Sequence, residues 1–309
     1  MRPDDWHLTA DVEDFLARAG EFLRSRPTPH TQTLTATEKL RRPGPEAQHG
    51  AEAPVFGRLE RAGEVRATFY RLPSRGLAPT ALTPEQADTL AAHLADRGHA
   101  LPYVTADQST ASAFAEAWQR HTGATPTLRA RLHLYRLGTL TPPQPFPLPE
   151  GRGRVAGEED HEQVAHWCGE FAAAVDEVLP TSWADTRFAD KHFTFWETPD
   201  GTPVSIAGST SMIGGMVRVD PVYTPPHLRG RGYAAAVTTE VTRAALATGA
   251  TDVVLFTDPD NPTSNALYQR LGYVLFTDWA VYDFSGAGAG RPRYPSDDYM
   301  LSPNRQLRV

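Results

Sequence analysis

One cysteine in 309 residues, Cys168, excludes an intrachain disulfide and any metal site assembled from several thiolates. Long apolar runs are missing too, and no stretch reaches the roughly 18 residues needed to cross a bilayer. The opening Met1-Arg2-Pro3-Asp4-Asp5-Trp6 lacks the basic-then-apolar order of a secretory leader. A cytoplasmic protein without membrane attachment is therefore expected. Positive charge is in deficit: 30 Lys and Arg face 37 Asp and Glu, for a formal net charge of -7. No global field draws a polyanion, so nucleic acid is not an expected partner. Compact His-x-x-His spacing is absent, and no metal is expected. Cys168 recurs with Val164, Trp167, Phe171 and Val175 at helical intervals, which assigns it to packing.

Proline, by contrast, is plentiful. The run Thr141-Pro142-Pro143-Gln144-Pro145-Phe146-Pro147-Leu148-Pro149-Glu150-Gly151 removes amide donors and restricts each preceding residue, so it continues neither a helix nor a central strand. It predicts a connector over 141–152 between a first domain, 1–140, and a second, 153–285. Residues 286–309 open with alternating glycines and are expected to form a tail. Arg41 through Pro54 carries further Pro and Gly and predicts a loop.

In the first half, strands are predicted over 54–61, 64–72, 101–105 and 127–137, with helices over 84–95 and 109–121. Helices are predicted in the second half over 159–175, around 183–191, 233–248 and 263–271. Its strands are expected at 193–197, 204–209, 216–223, 252–257 and 273–284. The fold class expected is mixed α/β, with two units that each carry a mixed central sheet covered by helices.

The densest chemistry lies in Arg229-Gly230-Arg231-Gly232-Tyr233-Ala234, between the break at Thr224-Pro225-Pro226 and an amphipathic helix. The first amides of a helix lack intrahelical acceptors and converge on an anion, and glycines let the backbone approach it. Two arginines and the positive helix end suit a pyrophosphate. Gly230, Gly232 and Ala235 also meet the relaxed spacing of a dinucleotide-binding turn. The two prolines interrupt the strand before it, and no acidic residue follows about 20 positions on. A nucleotide-triphosphate loop lacks its Gly-Lys-Ser or Gly-Lys-Thr, and a structural glycine turn is the remaining alternative.

These residues, with Val222-Tyr223-Thr224-Pro225-Pro226 before them and Asn261-Pro262-Thr263-Ser264-Asn265-Ala266-Leu267-Tyr268 after, resemble the GCN5-related N-acetyltransferase family over about 154–284. The resemblance implies two acyl-coenzyme A N-acyltransferase-like units, of which the second holds acetyl-coenzyme A in a slot between splayed strands. It implies that main-chain groups of Val222 and Thr224 bind the pantetheine arm and that Arg229, Gly230, Arg231, Gly232, Tyr233 and Ala234 receive the pyrophosphate. Asn261 and Asn265 would border the cofactor, and Tyr268 would protonate the departing thiolate. The first half resembles the same fold but lacks the paired glycines and a counterpart of Tyr268, which implies a degenerate copy.

Amide formation requires an unprotonated amine, whereas a free alkylammonium has a pKa near 10.4. Glu197, Asp220 and Asp258 are the candidate bases. The expected protein is an N-acetyltransferase that passes acetyl to a primary amine, a small molecule first, by direct attack in a ternary complex. A protein amino terminus or lysine is an alternative acceptor, a longer acyl chain an alternative donor, and a non-catalytic coenzyme-binding or interaction module the alternative to catalysis.

Overall fold

The computed structural model describes residues 6–41, 53–73, 75–141, 149–175 and 177–286. Most of the connector (142–148), of the 41–54 loop (42–52) and of the tail (287–309) lies outside them. In chain order the first half contains β1 (Trp6–Thr9), α1 (Val12–Ser25), α2 (Thr31–Arg41), β2 (Val55–Arg61), β3 (Glu64–Arg71), β4 (Leu77–Pro79), α3 (Pro84–Asp96), β5 (Tyr103–Asp107), α4 (Gln108–Thr122) and β6 (Thr125–Leu137). The second half contains β7 (Arg152–Val155), α5 (His161–Ala174), β8 (His192–Glu197), β9 (Pro203–Ser209), β10 (Met216–Tyr223), α6 (Tyr233–Ala247), β11 (Asp252–Thr257), α7 (Pro262–Arg270) and β12 (Tyr273–Ser285).

The second series repeats the first element for element, except that nothing longer than a single 3-10 turn (Trp183–Asp185) stands where α2 would recur. The helix expected around 183–191 is not formed. There the backbone runs as separate tight turns, with Thr186 N bonded to the Trp183 carbonyl and Lys191 N to that of Phe188. The Thr186 hydroxyl donates to the Trp183 carbonyl at 2.8 Å and accepts the Phe188 amide at 3.3 Å, competing with helical bonding. β1, α1, α2, β4 and β7 are additional to the predicted elements. α1 starts on Asp11, whose carboxylate accepts the amides of Glu13 and Asp14.

The described residues form two compact units, one of 6–131 with 278–286 and one of 132–277. Strand order in the first is β1-β2-β3-β4-β5-β12 and in the second β6-β11-β10-β9-β8-β7. Each sheet is therefore completed by the last strand of the other half: Trp279–Asp283 pairs antiparallel with β5, and His133–Arg136 with β11. The units cut the chain at different places from the proline-based division at 140 and 153. Strand partnership is a long-range matter that local composition does not record.

In the second unit the sheet is covered on both faces. α6 and α7 bury Ala234, Val237, Val241, Leu267 and Leu271 with Val217, Val219, Val253 and Leu255, and α5 buries Val164, Trp167 and Cys168 with Phe188, Phe193, Phe195, Ile206 and Tyr223. One irregularity shapes this sheet. β10 and β11 run parallel and paired only from Met216–Arg218 against Asp252–Val254, and beyond that they part. On its other side β10 shifts register against β9 between Val219 and Val222. Gly208 of β9 admits that bulge, since a Cβ there would lie 2.6 Å from the Asp220 carbonyl oxygen.

Candidate active site

The parted end of β10 leads through Thr224 and Pro225 into the glycine turn. Val222 packs half-buried against the α6 core, whereas Thr224 is buried and its hydroxyl lies 2.9 Å from Ser205 Oγ. Ser205 donates in turn to the Tyr223 carbonyl at 3.0 Å, which holds the end of the strand in place. Arg229 acts as a strap: its Nε donates to the Thr224 carbonyl at 3.0 Å, with the guanidinium 6.0 Å from the Tyr223 ring centroid. Arg231 is exposed and reaches the His227 carbonyl at 3.4 Å.

Gly230 and Gly232 both adopt left-handed backbone, at φ 77 and 83, a region costly to residues with a Cβ. A Cβ at Gly230 would meet nothing within 4 Å, so the turn faces open space. Gly232 forms the N-cap of α6 with no side-chain hydrogen bond to close it. The first helical bond is from Ala236 N to the Gly232 carbonyl at 3.0 Å, which leaves the amides of Tyr233, Ala234 and Ala235 without an intrahelical acceptor. Ala234 is 5% exposed and packs into the core beneath them, where a larger side chain would lift the helix start.

The corresponding helix of the first unit, α3, is closed. Thr83 Oγ1 accepts the Gln86 amide at 3.3 Å, Gln86 Oε1 accepts the Thr83 amide at 2.9 Å, and Pro84 has no amide proton to offer. β4 and β5 share a single parallel pair, Leu77 with Val104, so the first unit keeps the parted strands but not the open anion site. The Thr-x-x-Gln pattern was legible in the sequence as a capping box.

On the opposite lip, Asn261 and Asn265 are buried and committed to the chain around them. Asn261 Oδ1 caps α7 by accepting the Ser264 amide at 3.1 Å. Asn265 donates to the carbonyls of Asp258 at 2.9 Å and Pro259 at 3.2 Å, and accepts from the Thr257 hydroxyl. Tyr268 lies on α7 with its ring 6.0 Å from that of Tyr273 and only 8% exposed. Its hydroxyl has no hydrogen-bond partner among the described residues, whereas that of Tyr273 bonds Thr242 at 2.7 Å. Burial raises Tyr268 well above the ordinary phenol range, with Tyr273 and Asp220 acting in the same direction, so it stays protonated. Seven residues past its N-cap Asn261 stands Tyr268, and seven past the N-cap of α4, Asp107, stands Phe114. The first unit thus lacks that hydroxyl.

None of the three candidate bases stands free. Glu197 accepts from Arg154 at 2.5 Å and faces Arg152 at 3.5 Å. Asp258 caps its own turn through the Asp260 amide at 2.8 Å. Asp220 pairs with Arg187 and Lys191, and Arg187 also holds Glu177 at 2.8 Å. Burial alone would raise the Asp220 carboxyl, but the charges of Arg187, Lys191 and Arg218 overcome it and hold the group well below the carboxylate range. These partners join 177–191 to the β10 bulge and were not readable from local spacing.

Asp220→Ala is expected to cost roughly 3–5 kcal/mol in denaturant unfolding at pH 7, because buried Lys191 loses its carboxylate and Arg187 is left with Glu177 alone. The wild-type contribution is complete above the unfolded carboxylate pKa of about 4 and is lost as pH falls through the lower native value. A loss within 1 kcal/mol, or the same acid dependence in the variant, would contradict this.

A mixed sheet whose central parallel strands part beside an uncapped glycine helix start is the architecture of the acyl-coenzyme A N-acyltransferases. Residues 160–273 match the acetyltransferase (GNAT) family. No curated protein matches the chain in sequence. A GCN5-related N-acetyltransferase from Sphaerobacter thermophilus is 15% identical with a TM-score of 0.56, covering 96% of this chain and 98% of its own. A tandem GNAT protein from the clavulanic acid biosynthesis pathway is 13% identical with a TM-score of 0.55, over 93% and 100%. A GCN5-related N-acetyltransferase from Kribbella flavida is 20% identical with a TM-score of 0.51, over 71% and 87%. At such identities the likeness establishes the fold. Among the described residues no helix is long and apolar enough to cross a membrane.

Proposed function

We propose that the second unit transfers acetyl from acetyl-coenzyme A to the primary amine of a small molecule, by direct attack in a ternary complex. The observation that carries this is the contrast between two equivalent helix starts, α3 closed by its own side chains and α6 left open beside the parted strands. The amides of Tyr233, Ala234 and Ala235 with Gly230, Arg231 and Gly232 receive the pyrophosphate, and Arg229 braces the turn against Thr224. Main-chain groups of Val222 and Thr224 line the pantetheine arm, while Asn261 and Asn265 shape the facing loop.

In the transfer, the amine lone pair forms the N–C bond at the thioester carbonyl and the C–S bond breaks with its electrons on sulfur. Tyr268 gives its proton to that thiolate and regains one from the nitrogen of the adduct. The coenzyme supplies the activated acyl group, and the protein supplies its position and the protons. Incubation of the full chain with acetyl-coenzyme A and a broad amine mixture should give acceptor-dependent thiol release and products heavier by one acetyl. Coenzyme binding without either product would leave a binding module in its place.

A further inference from the structure

With Glu197, Asp220 and Asp258 all engaged, the acceptor side of the site needs another carboxylate. α5 packs against β10 and brings Glu170 to the end of that strand, where the Tyr223 hydroxyl donates to Glu170 Oε2 at 3.2 Å. Tyr223 lies five residues past Arg218, the last β10 residue paired with β11, and sits between Val222 and Thr224, which line the proposed pantetheine path. Its ring is buried against Trp167, with centroids 6.5 Å apart. The Glu170 side chain remains 40% exposed.

We propose that Glu170 takes the proton from the acceptor ammonium at this lip and that Tyr223 positions it to do so. The assignment rests on the acetyl-transfer function above. The incoming R–NH3+ gives one proton to the Glu170 carboxylate, its freed lone pair attacks the thioester carbonyl, and Glu170 later returns the proton to solvent. Packing of the Tyr223 ring against Trp167 fixes the hydroxyl that meets the carboxylate.

Among the described residues, charged groups near Glu170 come from its own helix and from the glycine turn. His166, one turn earlier on α5, has Nε2 3.8 Å from Oε2, and Arg229 reaches the same Tyr223 ring from the glycine turn. Asp160, at the start of α5, is held by Arg154 at 2.6 Å. Burial, with the Glu170 charge acting in the same direction, pushes the Tyr223 phenol up to about 12, so it stays a donor to the carboxylate.

The test compares wild type, Glu170→Gln and Tyr223→Phe in full steady-state pH profiles with the best amine from the mixture. Glutamine accepts the same Tyr223 hydrogen bond, so the fold and the coenzyme Kd should be retained. Its kcat/KM at pH 7 is expected to fall by about 10²- to 10⁴-fold. Activity should then climb tenfold per pH unit toward the acceptor's own pKa, since amine already deprotonated needs no base. Tyr223→Phe should lower kcat more mildly and leave KM for the coenzyme unchanged. A Glu170→Gln enzyme within twofold of wild type with an unaltered profile would overturn the assignment and leave acetyl transfer standing. Wild-type protein that binds coenzyme but acetylates nothing would overturn both.

Discussion

Tyr268→Phe is expected to lower kcat by about 10²- to 10⁴-fold while leaving coenzyme affinity and stability nearly unchanged. The ring is buried and the phenol held protonated, and it bonds none of the described residues, so the substitution breaks no hydrogen bond among them. The ring keeps its packing against Tyr273, so the loss of the hydroxyl changes stability little. Phe114 shows that the equivalent place in the first unit accepts a phenyl ring at 0% exposure. Rapid-quench single turnovers, calorimetric coenzyme titration and thermal melting separate the effects. Unchanged single-turnover rates would remove Tyr268 from the chemistry, and a large melting shift would make it a packing residue.

Gly232→Asp should weaken coenzyme A binding by at least about 100-fold in a protein that still folds. Aspartate tolerates left-handed backbone better than most residues, and a Cβ at 232 meets only Pro149, at 3.6 Å. From the N-cap its carboxylate would accept the amides of Ala234 or Ala235, closing α6 as Thr83 closes α3. A fixed negative charge about 4 Å from a phosphate adds repulsion on the order of 4 kcal/mol at an effective dielectric of 20. Titration calorimetry with coenzyme A reads the loss. Near wild-type affinity would mean that the phosphates bind elsewhere, and the proposed function would lose its main support.

Much of this was legible because it is local. The helices over 84–96, 108–122, 233–247 and 262–270 follow from apolar periodicity, and each begins within two residues of its expected start. Gly230 and Gly232 were readable because the required backbone is a property of the residue itself. Two further local signals stand in the sequence: Asp11 before α1, and Thr83 with Gln86 at α3. The missing helix at 183–191 and the ion pairs made by Asp220 have another origin. There Thr186 turns the backbone, and Arg187 and Lys191 find Glu177 and Asp220 across gaps of 10 and 29 or more residues.

By itself, then, the amino-acid order determined most of the helices and central strands, the glycine turn at 229–234 and the phenol on α7, since each depends on neighbours within a helical turn or two. Only the tertiary structure decided that β12 completes the first sheet and β6 the second, that three acidic residues are bound by arginine, lysine or their own turn, and that Glu170 meets Tyr223. Those outcomes turn on which distant surfaces are brought to within a few ångströms. Hydrogen bonds and ion pairs act only at that range, and no spacing along the chain records it.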